Sequence, residues 1–235
     1  QTNWVVEQLK KNNPNIEFEI KIIKTKGDLI KDLPLDKIGD KGLFVKEIEK
    51  SLLDKEIDMA VHSMKDMPSY LPEGLKFAHS PRREDPRDAL IFREGYKTLE
   101  DLPQGAKIGT GSKRRKYQLL KHRPDLEIVP IRGNIETRIK KIETENLDGV
   151  VLAASGLRRA GLEEKIDYYI PTDIMLPAPA QGILALEIRE DDKETEKIID
   201  SIKDDITKIL EKVLYEFPVS EIQFFVPKWV EMLGT

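Results

Sequence analysis

The chain has 235 residues, of which 39% are hydrophobic and 35% charged, with a formal net charge of −4 and no cysteine. That length holds one large domain or two modest ones, and no apolar run reaches the ~18 residues of a membrane helix. The lack of thiols removes disulfides and thiolate chemistry and fits a reducing compartment, which makes the cytoplasm the expected location.

In chain order, Trp4, Val5 and Leu9 fall on one face of a short helix ending near Asn12-Asn13-Pro14. Ile16–Ile23 alternates apolar and charged residues, which predicts a half-buried strand. The stretch from Thr25 to Gly42, rich in Lys, Asp and Gly, reads as a mobile loop. Phe44, Ile48 and Leu52 recur every four residues and predict an amphipathic helix from about Leu43 to Asp54. Ile57–Val61 is a short apolar strand. Further strand-like runs are Ala89–Phe92, Lys107–Gly109, Leu126–Ile131, Gly149–Ala153 and Ile183–Ile188. Helical patterns cover Ser112–His122, Asn134–Asn146 and Lys193 to about Tyr215.

Strands alternating with helices imply a parallel or mixed sheet covered on both faces. Two runs have linker composition, SPRREDPRD from Ser80 to Asp88 and LPAPAQG from Leu176 to Gly182. Read as hinges, they let the chain leave one lobe, build a second and return. The expected architecture is therefore α/β, two lobes with a cleft between, the first from residues 1–81 with 182–200 and the second from 87–176. Ligands of open α/β sheets bind at the carboxyl ends of strands, where such a cleft lies.

Charge is uneven. Gly105–Lys141 holds eleven Lys and Arg against three acidic residues, a local +8 that leaves −12 elsewhere. A basic patch on an acidic chain points to a specific anionic ligand more than to nucleic acid, which usually meets a basic domain. Three histidines (His62, His79, His122) are too scattered to suggest a metal site.

Four stretches carry candidate chemistry. VHSMKDMPS, Val61 to Ser69, places Lys65 and Asp66 just past the carboxyl end of a strand. A partly dehydrated Asp beside a Lys can stay ionised to stabilise a cation, or pass a proton; an Asp ahead of a proline is equally good turn chemistry. IGTGSKRRK, Ile108 to Lys116, runs a strand through small residues into a helix whose first turn carries Arg114 and Arg115. Backbone N–H groups and guanidinium forks there suit a carboxylate or phosphate, although a capped helix with a solvated basic face has the same sequence. It lacks the Gly-Lys-Ser/Thr ending of a Walker A loop. VPIRGNIETR, Val129 to Arg138, repeats the logic, with Asn134 as helix cap. LAASGLRR, Leu152 to Arg159, is a third strand-to-helix turn with arginines. Three such turns would converge at one sheet edge, and arginine in place of lysine suits planar carboxylates.

The motifs VHSMKDMP, REDPRDAL (Arg83 to Leu90), GTGSKRR, IRGNIETR, LAASGLRRAGL and LPAPAQGILALEIR, with DKGLFVKE before them, occur in order between about residues 1 and 192. Together they resemble the porphobilinogen deaminase (hydroxymethylbilane synthase) family. The resemblance implies lobes of type II periplasmic-binding-protein architecture plus a small third domain. It implies a transferase that condenses four porphobilinogen molecules head to tail, with loss of ammonia, to the linear tetrapyrrole hydroxymethylbilane. It implies a dipyrromethane cofactor, porphobilinogen as small-molecule substrate, and a monomer with no nucleic-acid or membrane partner. By the same resemblance Asp66 is the catalytic acid that stabilises the cationic azafulvene left by ammonia. Lys65, Ser112, Arg114, Arg115, Arg132, Gly133, Arg138, Arg159 and Gln181 are expected at the cofactor, Arg83 and Lys41 at the substrate, and no metal is expected. The Thr25–Gly42 stretch corresponds to a loop over the cleft that could shield reactive species from water.

The sequence departs from the family at both ends. The N-terminal Thr-Arg-x-Ser-x-Leu-Ala motif does not precede Gln1, so the natural chain is expected to start upstream. The family anchors its cofactor by a thioether to a cysteine of the third domain, and this chain has none. Residues 204–235 read as a divergent or incomplete form of that domain. A cofactor held only reversibly, with very low turnover, is the expectation for these residues taken alone. A module that grips a small anion without transforming it is the competing expectation; nucleic-acid binding through 105–141 is a third, with only Tyr117 available for stacking.

Overall fold

A computed structural model describes residues 1–25, 45–68 and 70–216. Two separate sheets organise the chain. Helix α1 (Thr2–Asn12) opens it, followed by α2 (Lys46–Leu53), strand β1 (Ala60–Ser63), a 3-10 turn (Met64–Asp66) and β2 (Leu75–Phe77). The second region holds β3 (Asp88–Phe92), β4 (Lys107–Gly109), α3 (Lys113–His122), β5 (Glu127–Val129), α4 (Ile135–Thr144), β6 (Gly149–Ala153), α5 (Ala154–Arg159) and β7 (Tyr168–Tyr169). The chain then returns through β8 (Leu184–Arg189) to α6 (Lys193–Ile199) and α7 (Asp205–Glu216).

The first sheet has the order β1-β8-β2, so the returning strand sits at its centre, antiparallel to both neighbours. The second has the order β5-β4-β6-β3-β7. In it β4 runs parallel to β5 and β6, while β3 is antiparallel to β6 and β7. The second sheet is thus mixed, as the alternation of strands and helices implies, whereas the first is antiparallel throughout its described strands.

The second sheet is apolar on both faces, which explains its unbroken hydrophobic runs. Leu90 and Phe92 of β3 and Val151 of β6 join Ile108 and Leu119 on one side. Their neighbours Ala89, Ile91, Val150 and Leu152 turn to the other side, against Ile142 and Leu157. In the first sheet Leu184, Leu186 and Ile188 of β8 pack with Val5 and Leu9 of α1 and Ile199 of α6.

Two expectations are corrected. Ile16–Ile23 is not a strand: the segment pairs with no described strand, and Ile20 and Ile22 are exposed. Alternation specifies which side chains share a face, but a ladder also needs a neighbouring backbone. The pattern from Lys193 to Tyr215 is two helices, because Asp204 interrupts it. Its carboxylate accepts from Thr207 N at 2.7 Å, capping α7, and its own N–H donates to Ser80 O at 3.1 Å. The Thr25–Gly42 loop expectation falls on residues 26–42, outside the described residues.

Both linker runs are the crossings between the sheets, and they hydrogen-bond to each other. Glu84 N donates to Gly182 O at 3.1 Å and Arg83 Nε to Gln181 O at 3.0 Å. Gly182 has φ +93°, and a Cβ there would stand 2.3 Å from Glu84 O. Only glycine permits both that dihedral and that approach. Gly182→Ala is therefore expected to cost about 2 kcal/mol or more of folding stability. Its urea unfolding midpoint should drop, and an unchanged midpoint would refute this account of the crossing.

Candidate functional site

The carboxyl ends of β4, β5 and β6 lie at one edge of the second sheet, and each leads into a helix start. Ser112 caps α3 by accepting from Arg115 N at 3.4 Å, and Asn134 caps α4 by accepting from Thr137 N at 2.8 Å. Gly133, at φ +118°, leaves room for the Thr137 side chain, and its carbonyl accepts from Arg138 Nε at 2.7 Å. These local constraints fix where the arginines start.

Arg115, Arg138 and Arg159 reach from that edge into a cavity of about 170 Å³, whose opposite wall is Ser63, Lys65 and Asp66 from the first lobe. Of the residues singled out from sequence, Asp66, Lys65, Arg115, Arg138 and Arg159 thus meet in one space. Arg114, Arg132, Arg83, Ser112, Gly133 and Gln181 stand outside its lining, and Lys41 lies outside the described residues. His62, next to Ser63 on β1, turns away, as strand alternation requires; its Nε2 stands 3.0 Å from the buried Glu187 carboxylate.

Behind the cavity wall is a residue that sequence reading did not single out. Asp88, the first residue of β3, is 0% exposed. Arg114 Nη2 donates to its Oδ2 at 2.7 Å, while Arg115 Nε and Gln181 Nε2 donate to Oδ1 at 2.9 and 3.0 Å. Arg115 Nη2 stands 2.8 Å from the same oxygen, and Arg115 Nη1 donates to Val151 O at 3.1 Å. Gln181 also donates to Pro86 O at 2.7 Å and accepts from Lys65 Nζ at 3.1 Å. One buried carboxylate therefore links two arginines of the second lobe to the lysine of the first. Its composition-rich surroundings read as linker; the signal available was Asp88 ending REDPRD at the first residue of an apolar strand.

Arg159 spans the lobes differently. Its Nη2 donates to Gly182 O at 2.8 Å and its guanidinium lies 5.3 Å from the Trp4 ring centroid, while its buried Nε has no hydrogen-bond partner among the described residues. Burial holds its pKa down to about 10, with Glu84 opposing. Burial and then Arg115 lower Arg138, and Asp66 opposes. Burial, followed by Arg115, also lowers Lys65, against Asp66 and Asp88. Four cations crowd one exposed carboxylate, and each further negative charge in the cavity would relieve their repulsion.

Such a site defines a class: an α/β protein of two sheets with a cationic cleft between them. The family described as porphobilinogen deaminase, dipyromethane cofactor binding domain, matches residues 1–197. Porphobilinogen deaminase of Clostridioides difficile strain 630 is 69% identical over 209 residues, covering 89% of this chain and 69% of that protein. The enzyme of Clostridium novyi strain NT is 63% identical over 207 residues, covering 87% and 69%. The chain belongs to the porphobilinogen deaminase family. A crystallised protein of Ruminococcus gnavus ATCC 29149, described as a lipoprotein, shares the fold at 14% identity and a TM-score of 0.52, with 92% of each chain covered. The α/β architecture expected from the sequence, two sheets joined by two crossings, is the one observed. No helix among the described residues is long and apolar enough to cross a membrane.

The donor set fits a dipyrromethane through its carboxylates, because Arg159 Nε is buried and unmatched and Arg115 and Arg138 face the same space.

Because its folded pKa is lowered, Lys65 is fully charged below that value and loses its charge as pH rises through it. Affinity for a pyrrole dicarboxylate should therefore weaken at a pH below the ordinary lysine range, and Lys65→Arg should move that weakening upward. Affinity titrations across alkaline pH check this; coincident limbs in the two forms would contradict it.

Proposed function

We propose that this chain carries the porphobilinogen-condensing site of a hydroxymethylbilane synthase. It would join four porphobilinogen molecules head to tail, releasing one ammonia for each. The supporting observation is the cavity itself, which sets Lys65 and Asp66 across from Arg115, Arg138 and Arg159. Porphobilinogen carries an acetate and a propionate, so the cations bind its rim while the ring meets Asp66. Departure of ammonia from the aminomethyl group leaves an azafulvenium, with positive charge shared onto the ring nitrogen. The Asp66 carboxylate stabilises that charge where it develops. The α-carbon of a second pyrrole then bonds to the methylene, and the proton it loses restores aromaticity.

When bound, a dipyrromethane would supply a two-pyrrole primer for the condensation. Lys65, Arg115, Arg138 and Arg159 would hold its carboxylates; Ser112, Arg114, Arg132, Gly133 and Gln181 are assigned to the same cofactor, and Arg83 and Lys41 to the substrate. We also assign residues 1–81 with 182–200 to one domain, 87–176 to the second and 204–235 to a divergent or incomplete third. The reading includes a cytoplasmic monomer with no nucleic-acid or membrane partner.

One competing reading is a cleft that binds porphobilinogen without condensing it. Ammonia release on adding porphobilinogen separates the two. Asp66→Asn is expected to abolish ammonia release while leaving porphobilinogen affinity nearly unchanged; a normal rate would remove Asp66 from the chemistry. Arg138→Ala, whose side chain donates to Gly133 O, should weaken porphobilinogen binding by roughly 1–3 kcal/mol, as for a lost charge-assisted hydrogen bond. Isothermal titration checks it, and unchanged affinity would exclude Arg138 from the site.

A further inference from the structure

We infer that Asp88 is the positioning residue of the cleft: its buried carboxylate sets the directions in which Arg114, Arg115 and, through Gln181, Lys65 present their charge. The inference deepens the reading above and rests on it for the identity of the substrate. Asp88 lies opposite Ala153 in the β3–β6 ladder, and Ala153 lines the cavity. The carboxylate therefore sits directly behind the wall rather than in it. Its two oxygens receive a different donor set: Oδ2 takes Arg114, and Oδ1 takes Arg115 and Gln181. Arg115 is 6% exposed, and its Nε and one Nη1 hydrogen are committed to Asp88 and Val151. A guanidinium has five N–H donors in a rigid plane. Fixing one edge of that plane decides where the remaining donors point, and Arg115 is in the cavity lining. Gln181 passes the same constraint to Lys65, because its amide donates to Asp88 and its carbonyl accepts from Lys65. Its Nε2 bonds also orient that amide, so the oxygen is the atom left for the lysine.

An amide in place of the carboxylate would keep the shape but face at least one of these donors with another donor, and would leave Arg115 buried without a counter-charge. The test uses the full chain as Asp88→Asn, Arg115→Ala and the double variant. In the wild type, without ligand, the Arg115 Nε–H resonance should exchange slowly with water; in Asp88→Asn it should broaden or vanish. Porphobilinogen affinity should fall about tenfold or more in Asp88→Asn, the loss expected from one misdirected charged donor. Adding Asp88→Asn to Arg115→Ala should cost less than it does alone, since one of the partners through which it acts is gone. An unchanged resonance, an unchanged affinity, or fully additive losses would overturn the proposal. If Asp88→Asn does not fold, Gln181→Met is read instead: it cuts only the arm to Lys65 and should lower affinity while leaving the Arg115 resonance intact, and wild-type affinity would refute the linkage. The ligand-free resonance decides the positioning role separately from ammonia release, which decides the function.

Discussion

A carboxylate with no exposed surface, paired with two guanidinium groups, is the constraint around which the cleft is arranged. Asp88 and Arg115 are both buried, and taking two charges out of water is repaid only when their geometry and remaining hydrogen bonds are nearly complete. Here they are: Arg114, Gln181 and the Val151 carbonyl satisfy what the pair leaves over. The knot forms where the two crossings meet, so the same contacts that define the cleft wall also hold the lobes in register. Glycine at 182 lets the second crossing approach the first closely enough for this to happen.

The knot also explains how the cleft tolerates its own charge. Of the cations near it, Arg114 and Arg115 are offset by Asp88, while Arg138 and Arg159 rest mainly on backbone carbonyls and, for Arg159, on the Trp4 ring. Burial and mutual repulsion push Lys65 and Arg138 toward losing a proton. A ligand bearing several carboxylates supplies the missing counter-charge, which makes the unliganded cleft poised for polyanions. On the proposed function, Asp66, exposed on the facing wall, is the group that meets the developing cation.

Much of this was legible from short motifs. A strand running through small residues into an arginine-bearing helix is encoded within about ten residues, so the turns at Gly109–Arg115, Arg132–Arg138 and Ala153–Arg159 could be placed at one sheet edge before any coordinates. Lys65 and Asp66 followed from their place after β1. What escaped was non-local. Asp88 meets Arg115 across 27 positions and Gln181 across 93, and nothing in SPRREDPRD separates a solvated linker from a buried anchor. The partner of His62, Glu187, is likewise 125 positions away, on β8. Ile16–Ile23 had the right alternation but no described neighbour, and the break at Asp204 was hidden because apolar spacing continued through it.

The central claim is spatial: cations from the second lobe hold the carboxylates of a pyrrole while Asp66 of the first meets its ring nitrogen. A crystal structure of the chain with bound porphobilinogen tests it most directly. The account predicts acetate and propionate oxygens within hydrogen-bond distance of Arg138, Arg159 or the free edge of Arg115, with the pyrrole N–H directed at the Asp66 carboxylate. A pyrrole seated elsewhere, or those guanidinium groups turned to bulk solvent with Asp66 facing no ligand, would contradict it.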